Sequence, residues 1–95
     1  MKSIIAEEKC CYFHSDECGG ILEKHHCIHG TGWRKKADKY GLTVWLCSKH
    51  HRDSKIGVHG QNTKADLHLK RVAQTAFEAK YSHAKWMNVF GKNYL

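Results

Sequence analysis

The chain has 95 residues and a mass of 11.0 kDa, enough for one domain or one small domain with an appended element. Its apolar fraction of 41% and charged fraction of 26% exclude a fully disordered chain, and the absence of proline excludes collagen-like and proline-rich classes. Lysine and arginine outnumber aspartate and glutamate by 16 to 9, which favours a polyanionic partner, with nucleic acid ahead of a membrane surface.

Cysteine and histidine are the unusual part of the composition, with five and nine residues. No run approaches the roughly 18 consecutive apolar residues of a membrane span. The first residues, MKSIIAEEK, lack the long apolar stretch of a secretory signal. An odd number of cysteines without an export signal favours reduced, metal-binding thiols over a disulfide framework. We therefore expect a cytoplasmic protein without a membrane partner.

The first two thirds of the chain predict short elements separated by turns. After a double-glycine turn, residues 21–28 can form a strand, and residues 42–46 have the β-branched and aromatic content of a second strand. A polar, basic loop over residues 30–39 is expected between them. Ser48 stands where it could cap a short helix that Gly57 would end.

The last third predicts a helical element over residues 62–91. Glycine and proline are absent from its interior, and apolar residues recur at the three-and-four spacing of one helix face. Asn62 or Thr63 could cap its start, and Gly91 fits the residue just past its end. A break near Ser82 would divide it into two helices. The apolar stripe predicts packing on the first part of the chain and leaves a homodimer contact open.

Two pairs of metal-binding residues, each with the same short spacing, predict a structural zinc site. Cys11 and His14 form one pair, and Cys47 and His50 form the other. One turn can present both side chains of a pair to one ion, and two pairs supply the four ligands of tetrahedral zinc. Neighbouring cysteines compete for the fourth position, Cys18 above all. Bound zinc would stabilise a core that is small by itself.

A second group of histidines is interpreted as a cation site with open coordination positions. His25 and His26 are neighbours on the predicted strand, so their rings should differ in orientation and in task unless the strand ends there. Together with His51 and His59, they could hold a divalent ion and leave one free imidazole to accept a proton from water. Phosphodiester hydrolysis requires these two functions. His29 is interpreted as an ordinary solvated or hydrogen-bonded surface histidine.

The ordered motifs Cys-x-x-His, His-His, Leu-Cys-x-x-His-His and Gly-Val-His resemble the HNH endonuclease superfamily. The likeness covers most of residues 10–95. More narrowly, the chain is similar to small phage and prophage proteins of this type. It implies an α+β fold: a zinc-stabilised ββα-metal, treble-clef-like finger over residues 10–60 with the helical element appended, in a single domain over residues 1–95. The resemblance also implies that the protein is located in the cytoplasm of a bacterial host cell.

The resemblance assigns roles to the histidines. His25 and His51 would bind a catalytic divalent ion, which could be Mg²⁺, Mn²⁺, Ni²⁺ or Zn²⁺. His26 would be the general base that activates water, and cleavage of DNA would leave a 5′-phosphate and a 3′-hydroxyl.

The chain departs from the family pattern at two positions. The last histidine of the pattern falls at Lys55, so His59 is the expected third ligand of the catalytic ion. Leu42 stands where the family has an asparagine that orders the loop between the strands. The second departure leaves an alternative open, a zinc-stabilised nucleic-acid-binding module without catalysis.

Basic residues near the predicted cation site are expected to contact the phosphate backbone of DNA without reading its sequence. They are Arg34, Lys35, Lys36, Lys39 and Arg52. Trp33 lies among them and could stack on an unpaired base or pack in the core.

Overall fold

An antiparallel pair of strands lies at the centre of a small α+β fold. The computed structural model describes residues 2–6, 8–30 and 32–95. Their elements, in chain order, are β1 (Leu22–His26), α1 (Trp33–Lys39), β2 (Thr43–Cys47), α2 (Ser48–Arg52), α3 (Thr63–Lys80) and α4 (His83–Phe90). Both predicted strands are present, with boundaries shifted by one or two residues. In the sheet register, His25 pairs with Val44 and Leu22 pairs with Cys47.

The predicted loop between the strands contains a helix, so that prediction was wrong. Helix α1 turns one small side chain, Ala37, completely into the core and leaves its basic side chains exposed. Such a short helix offers too few apolar positions for a periodic pattern to reveal it. Gly32 precedes it with a φ of 83°, in the left-handed region that favours glycine. The amide of Leu42 donates to the Ala37 carbonyl at 2.8 Å and closes the connection to β2.

Helix α2 begins directly at the end of β2. Its cap is Cys47 and not the predicted Ser48, because the Cys47 sulfur accepts a hydrogen bond from the His50 amide at 3.4 Å. The helix ends at Arg52, and the chain then turns tightly through Gly57. A Cβ atom at Gly57 would lie 2.5 Å from the Asp53 backbone nitrogen, so the turn requires glycine there.

The C-terminal element consists of two helices, which is the alternative that the sequence left open, with the break near Ser82. Asn62 caps α3 by accepting a hydrogen bond from the Ala65 amide at 3.1 Å. Ser82 caps α4 in the same way through the Lys85 amide at 3.0 Å. Gly91 follows α4 with a φ of 71°, and its amide donates to the Met87 carbonyl. Local hydrogen-bonding residues therefore mark three of these helix ends, as the sequence predicted for Asn62 and Gly91.

Helices α3 and α4 supply the two largest fully buried side chains of the core, Phe77 and Trp86. Phe77 and Trp86 are fully buried, with ring centroids 5.4 Å apart, and the Phe90 ring lies 4.3 Å from that of Trp86. Trp33 of α1 packs against Phe90 with a centroid distance of 6.4 Å, in agreement with the core alternative for this residue. The homodimer contact stays a prediction, because the apolar stripe that suggested it is only partly buried within the chain: Leu69, Ala73, Phe77 and Phe90 are buried, whereas Ala84 is exposed.

Across the described ranges, no helix combines the length and the apolar character that crossing a bilayer would require.

Candidate metal centres

Three cysteines and one histidine converge where α2 meets the N-terminal segment. The possible ligand atoms of Cys11, Cys18, Cys47 and His50 all lie within 4.8 Å of one another. His50 Nδ1 lies 3.0 Å from the sulfur of Cys47, 3.5 Å from that of Cys11 and 3.6 Å from that of Cys18. Sulfur and nitrogen ligands of tetrahedral zinc are about 3.5 Å apart, given the usual bond lengths. This Cys3His cluster could therefore hold a metal such as zinc.

Surrounding hydrogen bonds prepare the Cys3His cluster for a cation. The other ring nitrogen of His50, Nε2, lies 3.3 Å from the Ser15 hydroxyl, and donation to that oxygen leaves the Nδ1 lone pair free. The amide of Ser15 donates to the Cys18 sulfur at 3.4 Å. Burial raises the pKa of the Cys47 thiol, but hydrogen bonds from His50 and Gly19 outweigh it and lower the pKa to about 6. A thiolate, the form that binds metal, is thus favoured at Cys47.

His14, the predicted fourth ligand, lies outside this cluster, and Cys18 takes its place. The His14 amide bonds back to the Cys11 carbonyl at 3.1 Å, and a φ of 21° turns the chain, leaving the His14 side chain exposed. Phe13 packs beside the His50 ring at a centroid distance of 5.7 Å. A second turn, from Ser15 to Cys18, then returns the Cys18 sulfur to the cluster. The geometry therefore favours Cys18, the alternative fourth ligand that the sequence left open.

Three imidazoles from different parts of the chain form a second cluster. His25 comes from β1, His51 from α2 and His59 from the loop after α2, and their possible ligand atoms also lie within 4.8 Å of one another. Their ring centroids are 4.7 to 5.2 Å apart. Because the neighbours His50 and His51 belong to different clusters, helix α2 connects the two centres directly.

His25 supplies the strongest indication that a cation fits among these rings. The side chain is 1% exposed, and its Nε2 atom is buried without a hydrogen-bond partner among the described residues. An unsatisfied buried polar atom costs about 1 to 3 kcal/mol, which a bound cation would remove. Burial, followed by the nearby His51 and His59, lowers the pKa of His25 from 6.5 to about 3. The ring is therefore neutral at physiological pH, as metal binding requires.

Glu23 orients the second imidazole of the cluster. One of its carboxylate oxygens, Oε1, accepts a hydrogen bond from His51 Nδ1 at 3.0 Å and another from Arg52 Nε at 3.0 Å. The bond from His51 is also the main cause of a lowered pKa at Glu23. His51 Nε2 is then the nitrogen left for an ion, in the carboxylate–histidine–metal arrangement of many metal sites. Glu23 was not among the predicted site residues. Its position two residues before His25 places both side chains on one face of β1, and this spacing was the available signal.

The loop after α2 brings the third imidazole to the cluster, as expected for His59. The Val58 amide donates to the His50 carbonyl at 2.8 Å, and the His59 amide donates to the His51 carbonyl at 3.2 Å. Lys55, at the family's usual position for this ligand, is exposed. Burial and then the neighbouring His51 lower the pKa of His59, which keeps this ring in its neutral form as well.

His26 borders the same cavity without belonging to the group of possible ligands. Strand β1 ends at His26, so this ring and the His25 ring both line a cavity of about 490 Å³. Arg34 and Arg52 lie on the same lining. His26 Nε2 is 3.5 Å from the Asp38 carboxylate, which also accepts a hydrogen bond from Lys24. Burial lowers the pKa of His26, and Asp38 opposes the shift.

No known protein family, curated protein or solved structure matches this chain. The chemistry of the cavity therefore has to be inferred from its own residues.

His29 is a residue of the cavity wall that sequence analysis assigned to the ordinary surface. Its ring lies 5.1 Å from that of His59 and 5.9 Å from that of His25, and its Nε2 atom is 2.8 Å from the Asp66 carboxylate. Its spacing from His25 and His26 in the sequence gives no sign of this position. What brings the groups together is the position of Asp66, in the first turn of α3, beside the loop that follows β1.

The predicted DNA-contacting residues divide into two groups. Arg34 and Arg52 line the cavity, and Lys35 lines an adjoining groove that it shares with Arg34, His29 and His59. Lys36 donates instead to the Val89 carbonyl at 2.9 Å and so connects α1 with α4. Lys39 lies over the Tyr40 ring at 5.6 Å. Three of the five basic residues thus face the cavity or the groove beside it.

Proposed function

We propose that this chain is a metal-dependent DNA endonuclease of the HNH type, folded as a zinc-stabilised ββα-metal finger. The observation that carries the proposal is the lining of one solvent-open cavity. Three imidazoles that can hold a single ion, a fourth imidazole outside the ligand group and two arginines meet there. This combination provides a cation site, a proton acceptor and phosphate-binding groups within one space.

A divalent ion held by His25, His51 and His59 would supply Lewis acidity to the scissile phosphate and to the leaving oxygen. His26 accepts the proton of the attacking water at Nδ1, while its Nε2 faces Asp38. The water oxygen forms a bond to phosphorus, and the bond from phosphorus to the 3′-oxygen breaks. The products are a 5′-phosphate and, once the leaving oxygen takes a proton, a 3′-hydroxyl.

The two arginines at the cavity hold the DNA backbone in this proposal. Arg52 keeps a hydrogen bond to Glu23, yet 70% of its side chain is exposed and can meet a phosphate. Arg34 is exposed and lines both the cavity and the adjoining groove. Such contacts fix the strand without reading bases. Binding should therefore weaken with salt, with a logarithmic slope of about 0.9 for each phosphate contact.

Zinc in the Cys3His cluster has a structural role in the proposal. The cluster joins the N-terminal segment, the end of β2 and the start of α2, and all four of its ligands come from the protein. A closed ligand set is typical of structural zinc, whereas the three-imidazole site leaves coordination positions for water and substrate. A bacterial cytoplasmic location and a phage or prophage origin belong to the same proposal through the family resemblance.

The nuclease proposal is tested by nicking of supercoiled plasmid with Mg²⁺, Mn²⁺, Ni²⁺ or Zn²⁺. His26→Ala should lower the rate by about 100-fold or more, the usual contribution of a general base. The control is His68→Ala, which removes an exposed histidine of α3 and should leave nicking unchanged. Nicking by His26→Ala at close to the wild-type rate would exclude the mechanism.

Leu42 favours a second candidate function, a zinc-stabilised DNA-binding module without catalysis. This leucine stands at the position of the family asparagine, and its fully buried side chain carries no group that could order the loop by hydrogen bonds. A backbone bond runs from the Cys27 amide to the Leu42 carbonyl at 3.0 Å, but it supplies no side-chain amide to the loop. Salt-sensitive DNA binding without nicking under any of the four ions would support this second function.

A further inference from the structure

Helix α3 is linked to the cation site by a hydrogen bond to His29, whose ring packs against that of His59. Asp66, in the first turn of the helix, accepts from His29 Nε2 at 2.8 Å through one oxygen and from Lys70 Nζ at 2.9 Å through the other. The Asp66 side chain is 17% exposed, so these bonds are shielded from water. Burial raises the pKa of Asp66, but the two hydrogen bonds outweigh it and lower the pKa to about 2. The carboxylate is therefore charged at neutral pH and holds the His29 ring by this hydrogen bond.

His59 is the cluster member that most needs such an anchor. His25 is fixed in β1 and His51 in α2, whereas His59 comes from a loop and is exposed. Its backbone is held by the bond to the His51 carbonyl, but that bond leaves the side-chain rotamer free. The His29 ring packs edge-to-face against the His59 ring, with an interplanar angle of 72° and a centroid distance of 5.1 Å. Restricting a side chain before binding lowers the entropy cost of binding.

We propose that His29, held by Asp66, is a positioning residue that keeps the His59 ring in place for the cation. Helix α3 is then a part of the cation site in addition to covering the core. This inference rests on the proposed cation site and does not depend on nuclease activity, because the property it predicts is metal affinity.

The test is calorimetric titration of zinc-loaded protein with Ni²⁺, without DNA. Asp66→Ala and His29→Ala should each weaken Ni²⁺ binding about 3- to 10-fold, in keeping with the strength of an edge-to-face ring contact. Zinc content at the Cys3His cluster should stay at one ion per chain and reports that each variant is folded. Asp66→Asn and His29→Gln keep side-chain hydrogen-bonding groups and supply the same comparison if an alanine variant does not fold.

A second histidine–carboxylate pair in the same chain provides the matched control. His83 Nδ1 lies 2.8 Å from the Glu78 carboxylate, the same separation as between His29 and Asp66, but this pair is outside the cavity lining. His83→Ala and Glu78→Ala should leave Ni²⁺ affinity unchanged. If Ni²⁺ affinity falls as much in these control variants as in Asp66→Ala and His29→Ala, general loosening of the helices is the cause and the proposal is overturned.

The decisive comparison uses a His59→Ala background. If Asp66 acts through His59, Asp66→Ala should change Ni²⁺ affinity less than about twofold once His59 is absent, because coupled residues are not additive. If Asp66→Ala weakens Ni²⁺ binding equally in the wild-type and the His59→Ala backgrounds, the proposal is overturned and His29 binds the ion itself. Plasmid nicking is scored separately, so weakened Ni²⁺ binding without nicking would reject the nuclease and retain the role of His29. Nicking by the wild type together with unchanged Ni²⁺ affinity in Asp66→Ala would retain the nuclease and reject the role of His29.

Discussion

Buried His25 should make the stability of the protein depend on pH in buffer without divalent ions beyond the structural zinc. Its pKa falls from 6.5 to about 3 on folding, mainly because burial disfavours the charged ring. The unfolded chain therefore binds a proton at His25 in a pH range where the folded chain does not. The contribution of neutral His25 to the free energy of unfolding is fully present above about pH 6.5 and is lost progressively as the pH falls toward 3.

The size of the effect follows from these two pKa values. Between about pH 7.5 and about pH 5, the proton taken up by the unfolded state lowers the free energy of unfolding by about 2 kcal/mol. The measurement is urea unfolding at both pH values for the wild type and for His25→Leu, whose side chain does not titrate. The variant should lose about 2 kcal/mol less than the wild type over this range. Any pH dependence of the Cys3His cluster is common to both proteins and cancels.

A control variant separates this effect from histidine content in general. His83→Gln changes an exposed histidine away from the cavity and should retain the wild-type dependence on pH. If His25→Leu loses as much stability as the wild type between the two pH values, the burial argument for His25 is refuted.

Three further predictions concern the zinc cluster, the orientation of His51 and the core. Cys18→Ala should lower zinc content below one ion per chain by elemental analysis, whereas His14→Ala should leave it unchanged; the opposite pattern would restore His14 as a ligand. Glu23→Gln should weaken Ni²⁺ binding about 10- to 100-fold by calorimetry with normal zinc content, and unchanged affinity would contradict the role of its hydrogen bond to His51. Phe77→Ala should cost about 3 to 5 kcal/mol in urea unfolding because its ring is fully buried, and a loss below about 1 kcal/mol would show that the core is packed differently.

Local signals in the sequence were sufficient where neighbouring residues decide the structure. Strand composition predicted β1 and β2, and the capping residues Asn62 and Gly91 marked the limits of the helical element correctly. Helix α1 was missed because it buries few side chains, and the cap of α2 was misassigned because the Cys47 sulfur accepts the bond that Ser48 was expected to accept.

The candidate sites show the same division between local and tertiary information. Residue type and spacing identified most members of both clusters, including His59 in spite of its unusual position. The exchange of His14 for Cys18 could not be predicted, since it depends on how two consecutive turns direct the chain. Glu23 and Asp66 were missed because the residues that they orient lie far away in the sequence.

The sequence by itself determined the inventory of this protein: an α+β composition, two groups of metal-binding side chains and an excess of positive charge. Tertiary structure alone decided which side chains lie close enough to hold an ion and which carboxylates orient them, because the contacts of those carboxylates join residues 28 and 37 positions apart. Propensity and spacing act over a few residues, whereas a coordination site is assembled by packing across the whole chain.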